Sequence, residues 1–539
     1  TVKCDDIYYS EKLHFYSFII APLMMSAGWD FVQHYPERLQ QVSWDQCRDA
    51  AREWLSQPNY VVTVVKPVGK SGKVGFKPED MTADDVIAHF DTAVFTDYDI
   101  SQGIELTYPE TDSIGFELIG NAQYYREVLP NGLTVIIKSS PDSRVFAMNV
   151  LGKNRTACEP PGKEGITDFV NHCIERGTAT RSSKELSRDL SRIGANVSLY
   201  DNPWIPMDDR YTTRRFSFMK FETIEEYAEK GFYLFTEMLC YPSFDSQEVA
   251  GVRRSLLATL GRNTTSPRKT ARNLFFENLF EGHNYSRPIS GTLASVTSIT
   301  PADLHKYHSR FYSPENMILC IGTSRSAETV MQWINRSLGR MTAAGFTAPE
   351  ITPPESVSKI RTVHNDLESE QISMYLGGIL PGANDDDAVA IKVATSILSS
   401  RLYLNLREKQ GLAYSIGAGS VFDRDFGWTY SVISTASENY QQALDGILLE
   451  IEKLKLDGPT RSEIVSACNQ LWGSLIRAKL SRINQAYYLS VDEYLGRPLG
   501  YDQKYLSELS QVTTNSVRRV MTSYFSTDRY ILTSAGRKP

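Results

Sequence analysis

The chain has 539 residues, too many for one hydrophobic core, so about two to four domains are expected. Its 41% hydrophobic and 22% charged residues fit a soluble globular protein and exclude a disordered or fibrous one. A net charge of −7 leaves no basic footprint for nucleic acid, and no window approaches the ~20 apolar residues of a membrane span, since the stretch 15–25 is short and broken by Pro22.

Thr1 opens the chain without an initiator Met or a signal peptide, which reads as a fragment or a processed product whose address has been removed. An arrangement near this end returns twice. Tyr35-x-x-x-Leu39-x-Gln41-Val42 leads over a helix to the strand Tyr60-Val61-Val62, and Tyr505-x-x-x-Leu509-x-Gln511-Val512 leads to Tyr530-Ile531-Leu532. The 18 residues from Val42 to Tyr60 and from Val512 to Tyr530 also separate Ile299 from Met317, where the apolar strand 317–321 begins. One unit, a helix feeding a strand, therefore ends three times, near 67, 322 and 539, and predicts three related domains. Residues 1–67 are the closing part of a domain that lacks its beginning. Residues 68–123 are a packed connector, first rich in Gly and Lys, then acidic, with a helical stretch at 83–90.

A turn at Asn131-Gly132 opens the domain 124–342, with strands at 133–137 and 145–151 and helices at 182–193 and 224–239. Residues 343–359 form a linker rich in small residues and proline. The last domain, 360–539, has an alternating strand at 427–434 and a helix through Leu444, Ile447, Leu448, Ile451 and Leu454 that stops at Gly458-Pro459. This mixture of strands and helices is α+β. Seven cysteines, odd in number and without a Cys-x-x-Cys pair, favour free buried thiols over a disulfide framework. With sequons near chance frequency, they favour the cytoplasm or an organellar lumen over a disulfide-rich secreted protein. His34, His89, His283, His305 and His308 share no ligand spacing and read as surface or loop residues, and Asp385-Asp386-Asp387 reads as a solvated helix start.

The stretch Gly165 to Thr178, GITDFVNHCIERGT, is the most informative. Ile166, Phe169, Val170 and Ile174 make an amphipathic helix with a stop at Gly177, and Asp168, Asn171, His172 and Glu175 share its other face. The frame resembles the pitrilysin/insulysin family of zinc peptidases, whose inverted His-x-x-Glu-His motif sits in such a helix. The resemblance continues through Leu129-Pro130-Asn131-Gly132-Leu133, Gly194-Ala195-Asn196, Pro242-Ser243-Phe244 and Gly282-His283. It is most specific in the string from Ser400-Arg401-Leu402 through Leu406-Arg407-Glu408-Lys409 to Gly411-Leu412-Ala413-Tyr414-Ser415. The motif itself is degenerate: Asp168 stands for the first zinc-binding His and Asn171 for the catalytic Glu, and only His172 remains. Counting forward from Pro242 and back from Pro267, the place of the family's third ligand, a glutamate, falls on Thr259. A zinc centre of this type needs three strong ligands and a base on its water, so this chain is expected to bind none. Asp168, His172 and Glu175 offer only a weak alternative donor set.

Arg407 and Tyr414 match the family's Arg/Tyr pair, which in four-domain members faces the zinc of the first domain across a chamber. A guanidinium fork and a phenol suit substrate backbone and a developing oxyanion; the plainer reading is a structural Arg and a core Tyr. The resemblance thus implies repeated metallopeptidase-like domains, each an antiparallel sheet flanked by helices, forming half of a clamshell. Function is expected to be that of the substrate-binding C-terminal part of a peptide-cleaving zinc metallopeptidase, with zinc in a missing N-terminal half. The alternative is a non-catalytic structural or recognition subunit, similar to inactive processing-peptidase subunits or respiratory-complex core proteins. Expected partners are peptides and that missing half or a homologous subunit.

Overall fold

The computed structural model describes residues 2–55, 122–200, 213–413 and 415–537, and its framework is two sheets on one plan. The first contains β1 (Gln123–Val128), β2 (Thr134–Ser139), β3 (Val145–Lys153), β4 (Asn196–Ser198), β5 (Phe216–Ile224) and β6 (Met317–Thr323), in the order β1-β2-β6-β3-β5-β4. The second contains β7 (Arg361–Asp366), β8 (Gln371–Pro381), β9 (Ser415–Phe422), β10 (Phe426–Ala436) and β11 (Ile531–Gly536), in the order β7-β11-β8-β10-β9. Each has one parallel pair, β2 with β6 and β7 with β11, among antiparallel neighbours. The class is α+β.

The repeated closing unit takes the same place in both sheets. The helix Pro301–Phe311 feeds β6 and the helix Thr514–Tyr524 feeds β11. Reciprocal caps start both helices, Thr300 with Asp303 and Thr513 with Ser516, satisfying backbone N–H groups that have no partner inside the helix. Residues 2–33 and 122–537 belong to one compact body, and residues 34–55 to a second. Taken by itself, the described part of the second is two helices, Tyr35–Gln40 and Trp44–Leu55. The latter has the same start: the Ser43 N–H donates to Gln46 Oε1 (2.7 Å) and the Gln46 N–H to Ser43 Oγ (3.2 Å). The strand expected from Tyr60, the connector up to residue 121 and His89 lie outside the described residues.

β5 (FSFMKFETI) and β3 are buried on both faces. Met219 and Phe221 of β5 join the main core with Phe169, Val170 and Phe232. Phe216 and Phe218 point the other way, onto Tyr487, with ring centroids 6.4 and 6.1 Å apart. Tyr487 belongs to the helix Arg482–Tyr494, which lies far downstream in the chain yet packs on β3 and β6. The exchange is reciprocal, because the helix Pro267–Leu279, which precedes β6, packs on β8 and β11. There Phe275, Phe276 and Phe280 share a core with Tyr375, Trp428 and Ile531. Arg482 fixes its helix: its guanidinium donates to the carbonyls of Ser140 (2.6 Å), Ser143 (3.0 Å) and Val145 (2.9 Å) and to Asp142 Oδ1 (2.7 Å). Gly322 makes room for it, since a Cβ there would lie 2.7 Å from Arg482 Cγ.

Two expectations are corrected. His308 is buried, with Leu304, Tyr307 and Phe311 on the inner face of the helix Pro301–Phe311. Asp387 is buried too, paired with the Arg519 guanidinium and accepting from Tyr524 OH (3.0 Å), so only its neighbours Asp385 and Asp386 are a solvated start.

Candidate functional site

The helix Ile166–Ile174 is set by its N-terminus. Gly165 has φ 83°, and a Cβ there would meet the Gly291 backbone N at 2.5 Å, so only glycine fits. The buried Glu159 carboxylate accepts from the Gly165 N–H (2.9 Å), the Thr167 N–H (3.3 Å) and Thr167 Oγ1 (2.7 Å), and faces Arg155 at 3.7 Å. Burial raises its pKa against the pull of Arg155 and these donors. An acceptor at a helix start answers unpaired N–H groups and the dipole together. The helix ends at Ile174; Gly177, at φ 120°, comes after it and bridges to Ser182.

Asn171, expected from the resemblance at the place of a catalytic carboxylate, is bonded into the core. Asn171 Nδ2 donates to the Leu199 carbonyl (2.9 Å) and Ser217 Oγ (3.0 Å), and its Oδ1 accepts from Tyr312 OH (2.6 Å). Three bonds to a side chain only 2% exposed use both of its N–H donors and tie it into the core. The His172 Nδ1–H donates to the Asp168 carbonyl (2.8 Å), and the Asp168 carboxylate is 3.7 Å from the same nitrogen. Its ring stacks on Tyr200 at 3.6 Å and 10°. Tyr200 OH donates to Glu175 (2.8 Å), which also faces Arg176 at 3.3 Å, so Glu175 is turned away from a shared site. Burial and the Glu175 carboxylate raise the Tyr200 pKa. Thr259 lies on the helix Ser246–Asn263, which packs against the motif helix with Arg253 over the Phe169 ring at 5.7 Å. Its own side chain is exposed and accepts from Arg262 (3.1 Å). Asp168, Asn171 and His172 are therefore together, and Thr259 is a neutral hydroxyl at the surface. This donor set does not fit a zinc that needs three strong ligands. Among the described residues no three His, Cys, Asp or Glu side chains converge on a metal position.

Arg407 lies with the second sheet. The helix Ala388–Leu402 runs on as a π-helical segment, Tyr403–Glu408, a widening of the helix often found where function requires it. Its guanidinium sits over the Tyr403 ring at 4.8 Å and 3.6 Å from Glu408, with a side chain 36% exposed. The Gly411 N–H closes the segment on the Arg407 carbonyl (2.9 Å), with Gly411 at φ 63°. Tyr414 lies outside the described residues. Sequence reading misses a third polar group here: Arg268, at the start of the exchanged helix Pro267–Leu279, donates to Ser415 Oγ (2.9 Å). No local pattern marks it, because its neighbour is 147 positions away.

The family model of the insulinases (peptidase family M16) matches residues 135–293, and that of the peptidase M16 inactive domain matches 298–471. An uncharacterized zinc protease of Bacillus subtilis, YmxG, is 24% identical over 416 residues, 75% of this chain and 96% of that protein. An uncharacterized zinc protease of Rickettsia bellii is 23% identical over 393 residues, 72% of this chain and 90% of its own. Among solved structures, a peptidase M16 inactive domain from Pseudomonas fluorescens has a TM-score of 0.70 at 19% identity, covering 77% of this chain and 98% of its own. A protease from Helicobacter pylori has the same score and identity, covering 78% and 100%.

Proposed function

Since the chain belongs to the pitrilysin-like M16 peptidase family, we propose that it is the substrate-binding part of a zinc metallopeptidase whose metal centre lies on another peptidase-like half. One contrast carries this reading. The motif helix keeps its frame while Asn171 is buried and bonded into the core and Thr259 is exposed, whereas Arg407 stands half-exposed on a π-helical segment in the most family-like string of the chain. The domains 124–342 and 360–539 then form one half of a chamber around the peptide, and residues 1–67 close a further domain. Arg407 holds substrate carbonyl oxygens with its planar fork, and the Tyr414 hydroxyl donates to the oxygen on which charge develops. The chain itself holds no zinc.

The test is turnover by the assembled peptidase. Tyr414→Phe should lower kcat about 10²–10³-fold with little change in KM or Tm, because the lost bond strengthens mainly in the transition state. Arg407→Lys should also impair turnover, since an ammonium cannot reproduce the fork. Unchanged kcat in both variants would remove the pair from the mechanism. Stoichiometric zinc in the dialysed chain, with chelator-sensitive peptidase activity, would refute the separate metal centre.

A second reading, a non-catalytic structural or recognition subunit, is favoured by one observation. Asn171 is bonded into the core and Thr259 is exposed, and among the described residues no three His, Cys, Asp or Glu side chains converge on a metal position. In that case the Arg407 and Tyr414 variants would change only stability or partner binding.

A further inference from the structure

Between Glu248 and Glu277 the chain holds six cations, Arg253, Arg254, Arg262, Arg268, Lys269 and Arg272, and no Asp or Glu, in a protein whose net charge is −7. Four of them gather around one turn. Arg262 stands in the last turn of the helix Ser246–Asn263, and Arg268, Lys269 and Arg272 in the first two turns of the helix Pro267–Leu279. All four are exposed, while Ala271, Phe275, Phe276 and Leu279 take the buried side of the second helix. Lys269 Nζ joins the two helices by donating to Asn263 Oδ1 (2.6 Å). Arg262 donates to Thr259 Oγ1 (3.1 Å) and Arg268 to Ser415 Oγ (2.9 Å). These acceptors are neutral oxygens. Elsewhere exposed arginines find an acid, as Arg126 does in Glu493 and Arg361 in Glu281. Among the described residues no carboxylate lies within ion-pairing distance of Arg262, Arg268, Lys269 or Arg272.

This arrangement is electrostatically unfavourable without a counter-charge. Arg268 and Arg272 are like charges four residues apart on one helix face, and the first turn of that helix holds cations and no acid, where the dipole disfavours positive charge. The patch also adjoins Arg407. Ser415, which accepts from Arg268, begins β9, the edge strand of the second sheet, and the π-helical segment that bears Arg407 packs on the same strand. The net charge of −7 repels a long polyanion, whereas a short acidic stretch meets only the patch.

We infer that Arg262, Arg268, Lys269 and Arg272 form a subsite for Asp and Glu side chains, so that acidic peptides are the class this chain selects. This rests on the function proposed above and names the substrate of that same site: a peptide held by Arg407 has Arg268 as its neighbour. The experiment titrates short dye-labelled peptides, identical except for Glu, Gln or Lys at alternate positions, with the full chain and reads fluorescence anisotropy. At low salt the Glu peptide should bind about tenfold more tightly than the Gln peptide, and the Lys peptide least, with the advantage shrinking as salt is added. The triple variant Arg268→Gln, Lys269→Gln, Arg272→Gln should remove the advantage while keeping Tm and the affinity for the Gln peptide. Lys184→Gln with Arg188→Gln, exposed on the helix Ser183–Arg192, should keep the advantage. Equal affinity for the Glu and Gln peptides would overturn the subsite. So would an advantage that survives the triple variant, one that is lost in the control, or tighter binding of a thymidine oligonucleotide of matched charge. If the advantage depends on the patch but Tyr414→Phe leaves turnover by the assembled peptidase unchanged, the subsite stands and the catalytic reading falls. Tyr414-dependent turnover without the advantage means the reverse.

Discussion

Asn171 is held as a structural residue. Its amide is the only group that can give two donors to Leu199 and Ser217 and one acceptor to Tyr312 in the same place. Asn171→Asp keeps the shape but removes both donors and sets a carboxylate against the Leu199 carbonyl. It should cost roughly 3 kcal/mol in urea unfolding at neutral pH, with part recovered on acidification. A loss below 0.5 kcal/mol would show that the network is loose. His308 gives a second test. Its Nε2–H donates to the Leu239 carbonyl (2.8 Å), and burial pushes its pKa from 6.5 down to about 4. The unfolded chain takes up this proton from pH 6.5 downward and the folded chain refuses it until about pH 4. Stability from this residue is therefore complete above pH 6.5 and is lost as pH falls toward 4, by up to about 3 kcal/mol. His308→Gln keeps a donor without the titration, so its stability should fall less over that window.

At the scale of elements, the motif helix, the strands 133–137, 145–151 and 317–321 and the helix ending at Gly458 were legible because their signals are local. Spacing, turn glycines and caps act within a few residues. The face of a buried strand was not legible. FSFMKFETI mixes Phe, Met and Ile with Ser, Lys, Glu and Thr on both faces, and nothing in it says that Phe218 and Lys220 meet a helix some 260 residues on, where Lys220 Nζ donates to Asn484 Oδ1 (2.7 Å). His308 was legible in principle, since 304, 307, 308 and 311 repeat at helical spacing. Arg482 belongs to this scale too. Arg482→Met keeps the stem but leaves the carbonyls of Ser140, Ser143 and Val145 without their donor, and should cost roughly 3–5 kcal/mol. Arg144→Met, which removes an exposed pair with Glu226, should cost less than about 1 kcal/mol in the same assay.

For the molecule as a whole, the exchanged helices tie the two sheets into one cooperative unit. Neither half of residues 122–537 buries its sheet without a helix from the other. Trp333 reports on the first sheet's core and Trp428 on the second's. Thermal unfolding should therefore give one transition, with single-tryptophan variants retaining Trp333 or Trp428 melting together. Two midpoints more than a few degrees apart would show that the domains unfold separately.

The sequence by itself determined the family frame and the closing unit that feeds β6 and β11, and it set Asp168, Asn171 and Thr259 at their places along the chain, because motif spacing and helix caps are properties of neighbouring residues. Only the tertiary structure decided what became of those residues. Whether Asn171 is free to meet water, whether Thr259 points inward, and which sheet the helices Pro267–Leu279 and Arg482–Tyr494 cover depend on contacts between distant segments. Burial of one face of a strand or helix requires a partner and leaves no local mark of its identity, so the exchange that builds this protein is invisible until both sheets are present.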